Sequence, residues 1–239
     1  MTIDKQAVLE RNRVSWSKSR KPLLFLILAM GFVLFYAVAG TTSLWDNDEP
    51  TYAEIAKEMV VSGHWLTPMF NHEVWFCHPP LYMWLTAGIF KVLGPHELSA
   101  RFFPCLFALL GMLFLFHWGS RWWNEKVGFM AAIILGTSLQ YLVQGGMATM
   151  DTMLLGFLLL AFYAAWKGFE TRKLNWWMLF FVACGLATLA KGVFGIAYPL
   201  FYFRFVFYLE TRTQKNDSRN PLGQRAASLS CHCSPMVCV

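Results

Sequence analysis

Two acidic residues, Asp48 and Asp151, each stand just outside an apolar segment long enough to enter a bilayer, and two such segments separate them. Two crossings return a chain to the side it left, so both carboxylates are expected to face one aqueous compartment. Acidic groups at a membrane boundary cost free energy unless they are hydrated, paired or used. A carboxylate of this kind is suited to removing a proton from a hydroxyl acceptor. His78 lies between the two in sequence, and Lys191 interrupts the apolar stretch Gly185–Gly192. Lys191, placed against the charge bias, offers positive charge to an anionic partner, and phosphate would suit it. Each residue also has a plainer reading. Asp48 and Asp151 can serve as helix N-caps, worth about 1 kcal/mol. Lys191 can snorkel to water from a span boundary, and a lone His is more often structural than catalytic.

The elements that position these groups follow from hydropathy. Of the 239 residues, 56% are hydrophobic and 14% charged, against roughly 25% charged in soluble domains. The charges fall between long uncharged runs: Pro22–Trp45, Phe102–Ser120, Val127–Met150, Thr152–Trp166, Leu174–Ala190 and Gly192–Leu209. A helix needs about 20 apolar residues to span the hydrocarbon, so six spans are expected. The fold class is then all-α, a polytopic membrane helical bundle. Residues 22–209 form the membrane domain, preceded by a basic tail at 1–21.

Lys5, Arg11, Arg13, Lys18, Arg20 and Lys21 crowd the amino terminus, and the loops expected on the same side hold Arg121, Lys126, Lys167, Arg172 and Lys173. The other side has Lys57, Lys91, Arg101 and Lys191. Positive charge accumulates in the cytoplasm, which puts the amino terminus inside and Thr41–Arg101 outside. That outer segment carries Asp46, Asp48, Glu49, Glu54, Glu58, Glu73 and Glu97. The net charge of +6 therefore reflects topology rather than binding to nucleic acid. The first apolar run is too long for a signal-peptide core and lacks a small-residue cleavage site, so it reads as a retained anchor. The six cysteines show no disulfide or metal pattern across the body of the chain.

Within the outer segment, Glu49-Pro50 reads as a helix start. Tyr52, Ile55, Ala56, Met59 and Val60 recur at helical spacing, and Gly63 is placed to end the helix. Such a helix lies along the interface. His78 precedes Pro79 and is thereby pushed out of the α region. The run Leu81–Phe90 dips toward the bilayer without crossing it; a crossing there would put Asp48 and Asp151 on opposite sides and invert the charge bias of every later loop.

The stretch Trp45–Ala56 resembles the first outward loop of polyprenyl-phosphate-dependent glycosyltransferases of the GT-C type, a group that includes the aminoarabinose transferases of lipid A modification and the protein O-mannosyltransferases. His78-Pro79-Pro80-Leu81, Met147–Asp151 and Gly185–Gly192 match three further motifs, in order, over a resemblance running from about Lys21 to Tyr202. The resemblance implies an enzyme that moves a sugar from a polyprenyl-phosphate donor to a lipid, glycan or protein acceptor on the outer face of a bacterial inner membrane. It makes Asp48 the acid-base residue and Asp151 a second essential carboxylate, with His78 and Lys191 toward the donor phosphate. Glu49 and Tyr52, in the first motif, are candidate substrate-binding residues. The aminoarabinose transferases place Lys where this chain has His78, and an Arg where it has Thr51. No cofactor is implied with certainty, and a divalent metal is compatible with the class.

From Thr211 onward the apolar runs cease, and Cys231-His232-Cys233 offers a metal chelate only within that end. Residues 210–239 are expected to be irregular, and the whole to be the amino-terminal part of a longer protein with a truncated or frame-shifted, inactive end. The alternative class is a non-catalytic scaffold or small transporter. Transport places ionisable residues near mid-membrane, whereas here they gather at one surface.

Overall fold

The computed structural model describes residues 20–45 and 48–217. The basic residues before Arg20, Asp46, and the cysteine-bearing end from 218 to 239 lie outside the described residues. Helix dominates, as the hydropathy pattern requires. Helix α1 covers residues 20–39, with a π-helical stretch at Phe32–Tyr36. It is followed by α2 (Asp48–Ser62), α3 (Leu81–Leu93), α4 (Glu97–Trp122), α5 (Glu125–Thr137), α6 (Leu139–Gly146), α7 (Asp151–Thr171), α8 (Leu174–Lys191) and α9 (Phe194–Asp217). Between α2 and α3, Met69–Phe70 (β1) and Glu73–Val74 (β2) form a small antiparallel ladder, pairing Met69 with Val74 and Phe70 with Glu73.

Among the described residues, α4, α7 and α8 are each long and apolar enough to cross a membrane, and α5 with α6 makes a fourth span if the bent pair counts as one. At 13 residues, α3 is only about 20 Å long and too short for a hydrocarbon core of about 30 Å, in keeping with its reading as an interfacial dip. Two expectations need correction. The run Val127–Met150 is not one straight span: it bends by 67° between Thr137 and Leu139. Ser138 there is extended (φ −66°, ψ 131°), and the Thr137 and Ser138 hydroxyls donate to the carbonyls of Ile133 and Leu135. Hydroxyls that bond back onto the preceding turn bend helices. Helix continues in α9 to Asp217, past position 209, where irregular chain was expected to begin.

The chain divides into two compact units, residues 1–156 and 157–239. The core of the first gathers Ile27, Phe35, Cys105, Ala108, Met112, Phe116 and Tyr141 from α1, α4 and α6. Buried backbone groups left open by irregularities find side-chain partners, which an apolar surrounding demands. Pro104, inside α4, has no N–H to give the Ala100 carbonyl one turn earlier, and the Tyr82 hydroxyl donates to that carbonyl instead at 3.0 Å. The Cys105 thiol donates to the Phe35 carbonyl in the π-helical stretch. The second unit packs α7 and α8 through Ala161, Ala164, Ala165, Ala183 and Cys184 around Phe180; small side chains let membrane helices approach closely.

The same economy governs α4 against α5. A Cβ on Gly128 would lie 2.6 Å from both the Phe116 carbonyl oxygen and the Ser120 backbone nitrogen. Backbone on the facing helix cannot step aside as a side-chain tip can. Gly128→Ala is therefore expected to destabilise the first unit by about 1–3 kcal/mol, in the range of overpacked cores. Gly185→Ala, where a Cβ meets nothing within 4 Å, should be neutral or slightly stabilising because Ala is the better helix former. Thermal unfolding in detergent compares the two, and equal midpoints would refute the close-packing account.

Candidate functional site

Asp48 and Asp151 are each the first residue of a helix, α2 and α7. The Met150 carbonyl accepts the first bond of α7, from the Leu154 N–H at 2.9 Å. Asp151 thus stands one residue inside the cap position, and its carboxylate still benefits from the positive end of the helix. Asp48 is exposed and Asp151 half-buried. What joins them is the residue between. Glu49 is completely buried, and one of its oxygens accepts the backbone N–H of Ala148, three residues before Asp151. The start of α2 is thereby tied to the turn that leads into α7.

Glu49 belongs to a fully satisfied ion pair. Arg101, 3% exposed, grips it in a two-pronged bond, Nε to Oε1 at 3.0 Å and Nη2 to Oε2 at 2.9 Å. The Trp45 N–H donates to the second oxygen at 2.6 Å. The remaining guanidinium donors reach the carbonyls of Ala39, Thr42 and Ser43 and the Thr42 hydroxyl. One planar cation thus fastens the end of α1, the start of α2 and the first turn of α4. Burial pushes the Glu49 carboxyl up, but the hydrogen bonds from Arg101, Ala148 and Trp45, with the Arg101 charge, outweigh it and hold the group below the usual carboxylate range.

The oxygens of Glu49, expected from the sequence to touch substrate, are taken up by buried donors that hold the start of α2 in place. Arg101 was read from the sequence only as an outward charge. Its signal was its place at the edge of an apolar run on the side poor in Lys and Arg.

Tyr52, one turn along α2 from Asp48 and 4% exposed, marks the centre of the cluster. Its ring meets Trp75, His78 and Tyr82 edge to face at 6.1, 5.8 and 6.0 Å between centroids. Burial pushes the Tyr52 phenol up to about 12, and the negative charges of Asp48, Asp151 and Cys77 add to the rise. Both aspartates are therefore near enough to act on one phenol. His78, half-buried in an irregular segment before Pro79, faces the same ring.

Four of the sequence-derived site residues, Asp48, Asp151, Tyr52 and His78, come together in the first unit. Lys191, the last residue of α8 and half-buried, is carried by the second unit. A cleft of about 290 Å³ opens at Asp151, with Gln140, Tyr141, Gln144 and Leu155 in its wall. Among the described residues, no group of three or more His, Cys, Asp or Glu is placed to hold a metal ion. The arrangement offers Asp48 and His78 beside the Tyr52 ring, and a cleft that Asp151 lines at the start of α7.

Comparison with known proteins gives the family of the chain. A family model described as dolichyl-phosphate-mannose-protein mannosyltransferase matches residues 77–237. Two relatives are named undecaprenyl phosphate-alpha-4-amino-4-deoxy-L-arabinose arabinosyl transferase. The one from an Enterobacter species is 30% identical over 73% of this chain and 33% of its own length. The one from Pseudomonas fluorescens is 28% identical over 76% of this chain and 34% of its own. The crystal structure of ArnT from Cupriavidus metallidurans bound to undecaprenyl phosphate superposes with a TM-score of 0.71 at 29% identity, covering 79% of this chain and 36% of that one. The chain thus spans about a third of the length of the relatives it matches.

Proposed function

We propose, from the premise that the chain belongs to the dolichyl-phosphate-mannose-protein mannosyltransferase family of polyprenyl-phosphate-dependent glycosyltransferases, that it supplies the catalytic carboxylates for transferring a sugar from a polyprenyl-phosphate donor. The observation that carries this is the tie between Glu49 and Ala148, which holds Asp48 and Asp151 at one mouth of the membrane helices. In the reaction, Asp48 takes the proton of an acceptor hydroxyl. The acceptor oxygen attacks the anomeric carbon of the sugar, and the bond from that carbon to the phosphate oxygen breaks, the electron pair leaving with the phosphate. Asp151 orients the sugar and shares the developing positive charge. His78 is assigned to the donor phosphate, where N–H donors stabilise the leaving oxygen; Lys191, in the second unit, is a separate candidate for binding an anion. The relatives' names favour an amino sugar carried on undecaprenyl phosphate, and the site is assigned to the outer face of the membrane.

Two measurements bear on this. Membranes containing a version restored to the full length of the relatives, given a radiolabelled polyprenyl-phosphate sugar, are expected to pass label to a lipid, glycan or protein acceptor. Solute flux with no transfer from any lipid-phosphate donor would favour the transporter reading. The outward orientation is checked through Cys77, which is exposed while Cys105 and Cys184 are buried. With Cys231, Cys233 and Cys238 replaced by Ser, a membrane-impermeant maleimide is expected to label Cys77 from the outer side. Labelling from the cytoplasmic side alone would reverse the assignment.

A further inference from the structure

Trp75 has no place in the mechanism above, yet it is built into the same cluster. Its backbone N–H donates to the Pro68 carbonyl at 2.9 Å, closing the loop that carries β1 and β2. Its ring is packed from two sides, by Tyr52 at 72° between planes and by His78 at 57° and 5.7 Å. Trp75 is only half-buried, beside the Tyr52 ring, which stands one turn along α2 from Asp48. A half-buried indole, held in an aromatic cluster one helical turn from a carboxylate, has the make-up of a sugar seat. The C–H face of a pyranose or furanose ring is apolar and lies against an aromatic plane, while its hydroxyls reach polar neighbours. An aromatic side chain gives large contact area at little loss of freedom, and such surfaces mixed with a few polar groups line small-molecule sites generally.

We infer that Trp75 is the stacking platform for the sugar ring of the donor, recognising the sugar rather than the phosphate or the prenyl chain. This deepens the function proposed above and rests on it. Tyr52 and His78 act on the sugar through Trp75, by fixing its plane. Trp75→Phe keeps a plane of reduced area, whereas Trp75→Leu keeps apolar volume and loses the plane.

The test is equilibrium binding to the purified full chain in detergent, with two probes, undecaprenyl phosphate and a hexosyl undecaprenyl phosphate. Wild type is expected to bind the glycosylated lipid more tightly than the bare one. Trp75→Leu is expected to weaken the glycosylated probe about tenfold and to leave the bare probe unchanged, with Trp75→Phe between. Equal weakening of both probes would make Trp75 a phosphate or chain contact and overturn the inference. So would unchanged binding of both by a variant with the thermal midpoint of wild type. If wild type binds neither probe, the proposed function itself fails. If it binds both equally, the proposed function stands and the sugar platform does not.

Discussion

Asp48→Asn is expected to lower sugar transfer by roughly 10²–10⁴-fold, the usual cost of removing a general base, while the protein stays inserted and folded. The substitution is diagnostic because of where Asp48 stands. It is exposed, in the first turn of α2, and the amide keeps an acceptor oxygen for the backbone there. Loss of its charge at the helix start costs only about 0.3–1 kcal/mol. Activity and stability should therefore separate widely. Asp151→Asn is expected to fall by a similar factor, and the double variant by less than the product of the two, as for groups that act as a unit. Turnover near wild type in Asp48→Asn, measured with equal protein in the membrane, would return Asp48 to a capping role.

The second large effect lies behind the site. Arg101→Met is expected to destabilise the first unit by about 3–5 kcal/mol, since it strands a buried carboxylate. Replacing both partners of a buried pair often restores stability, but here recovery should be partial. Glu49 also accepts from Ala148 and Trp45, and Arg101 also serves the carbonyls of Ala39, Thr42 and Ser43. A double Glu49→Leu, Arg101→Met change leaves those backbone groups unpaired. Full recovery in thermal unfolding would show that the backbone bonds contribute little.

The acid limb follows from the same pair. The folded Glu49 carboxyl titrates below its ordinary value of 4.5, so the unfolded chain binds its proton first as pH falls. Its contribution is fully present above about pH 4.5 and is lost as pH drops through the lower folded value. Glu49→Gln should abolish that part of the acid sensitivity. An unchanged acid limb would assign it to other carboxylates.

Much of this was legible from residue types and spacing. Counting apolar runs sufficed to bring Asp48 and Asp151 to one side, because each span reverses direction whatever its details. The interfacial helix was legible because Tyr52, Ile55, Ala56 and Met59 recur at helical spacing, and these, with Glu49, are its buried residues. The burial of Glu49 was not legible, for a reason in helix geometry. Neighbours in sequence point about 100° apart around the axis, so a motif can place one acid in solvent and the next in the core. Nothing in the motif itself says which. The partner that decides it, Arg101, is 52 positions away. The bend at Ser138 was hidden for a different reason: neither proline nor charge marks it, and its cause is two hydroxyls turned back on their own helix.

The bond from Ala148 to Glu49 bears on how the protein meets bilayers of different thickness. Membrane helices answer a thickness mismatch by tilting, and tilt separates helix ends most where they are least restrained. In the first unit, α2 and the chain entering α7 are stitched together at the mouth that carries the aspartates, beside the Arg101 clasp on α1 and α4. Tilting there becomes rotation about a fixed hinge-point, and displacement is passed to the opposite ends of the helices. The gap between the two carboxylates is expected to be buffered against lipid composition, so a change of host membrane should alter how the helices lean before it alters that spacing.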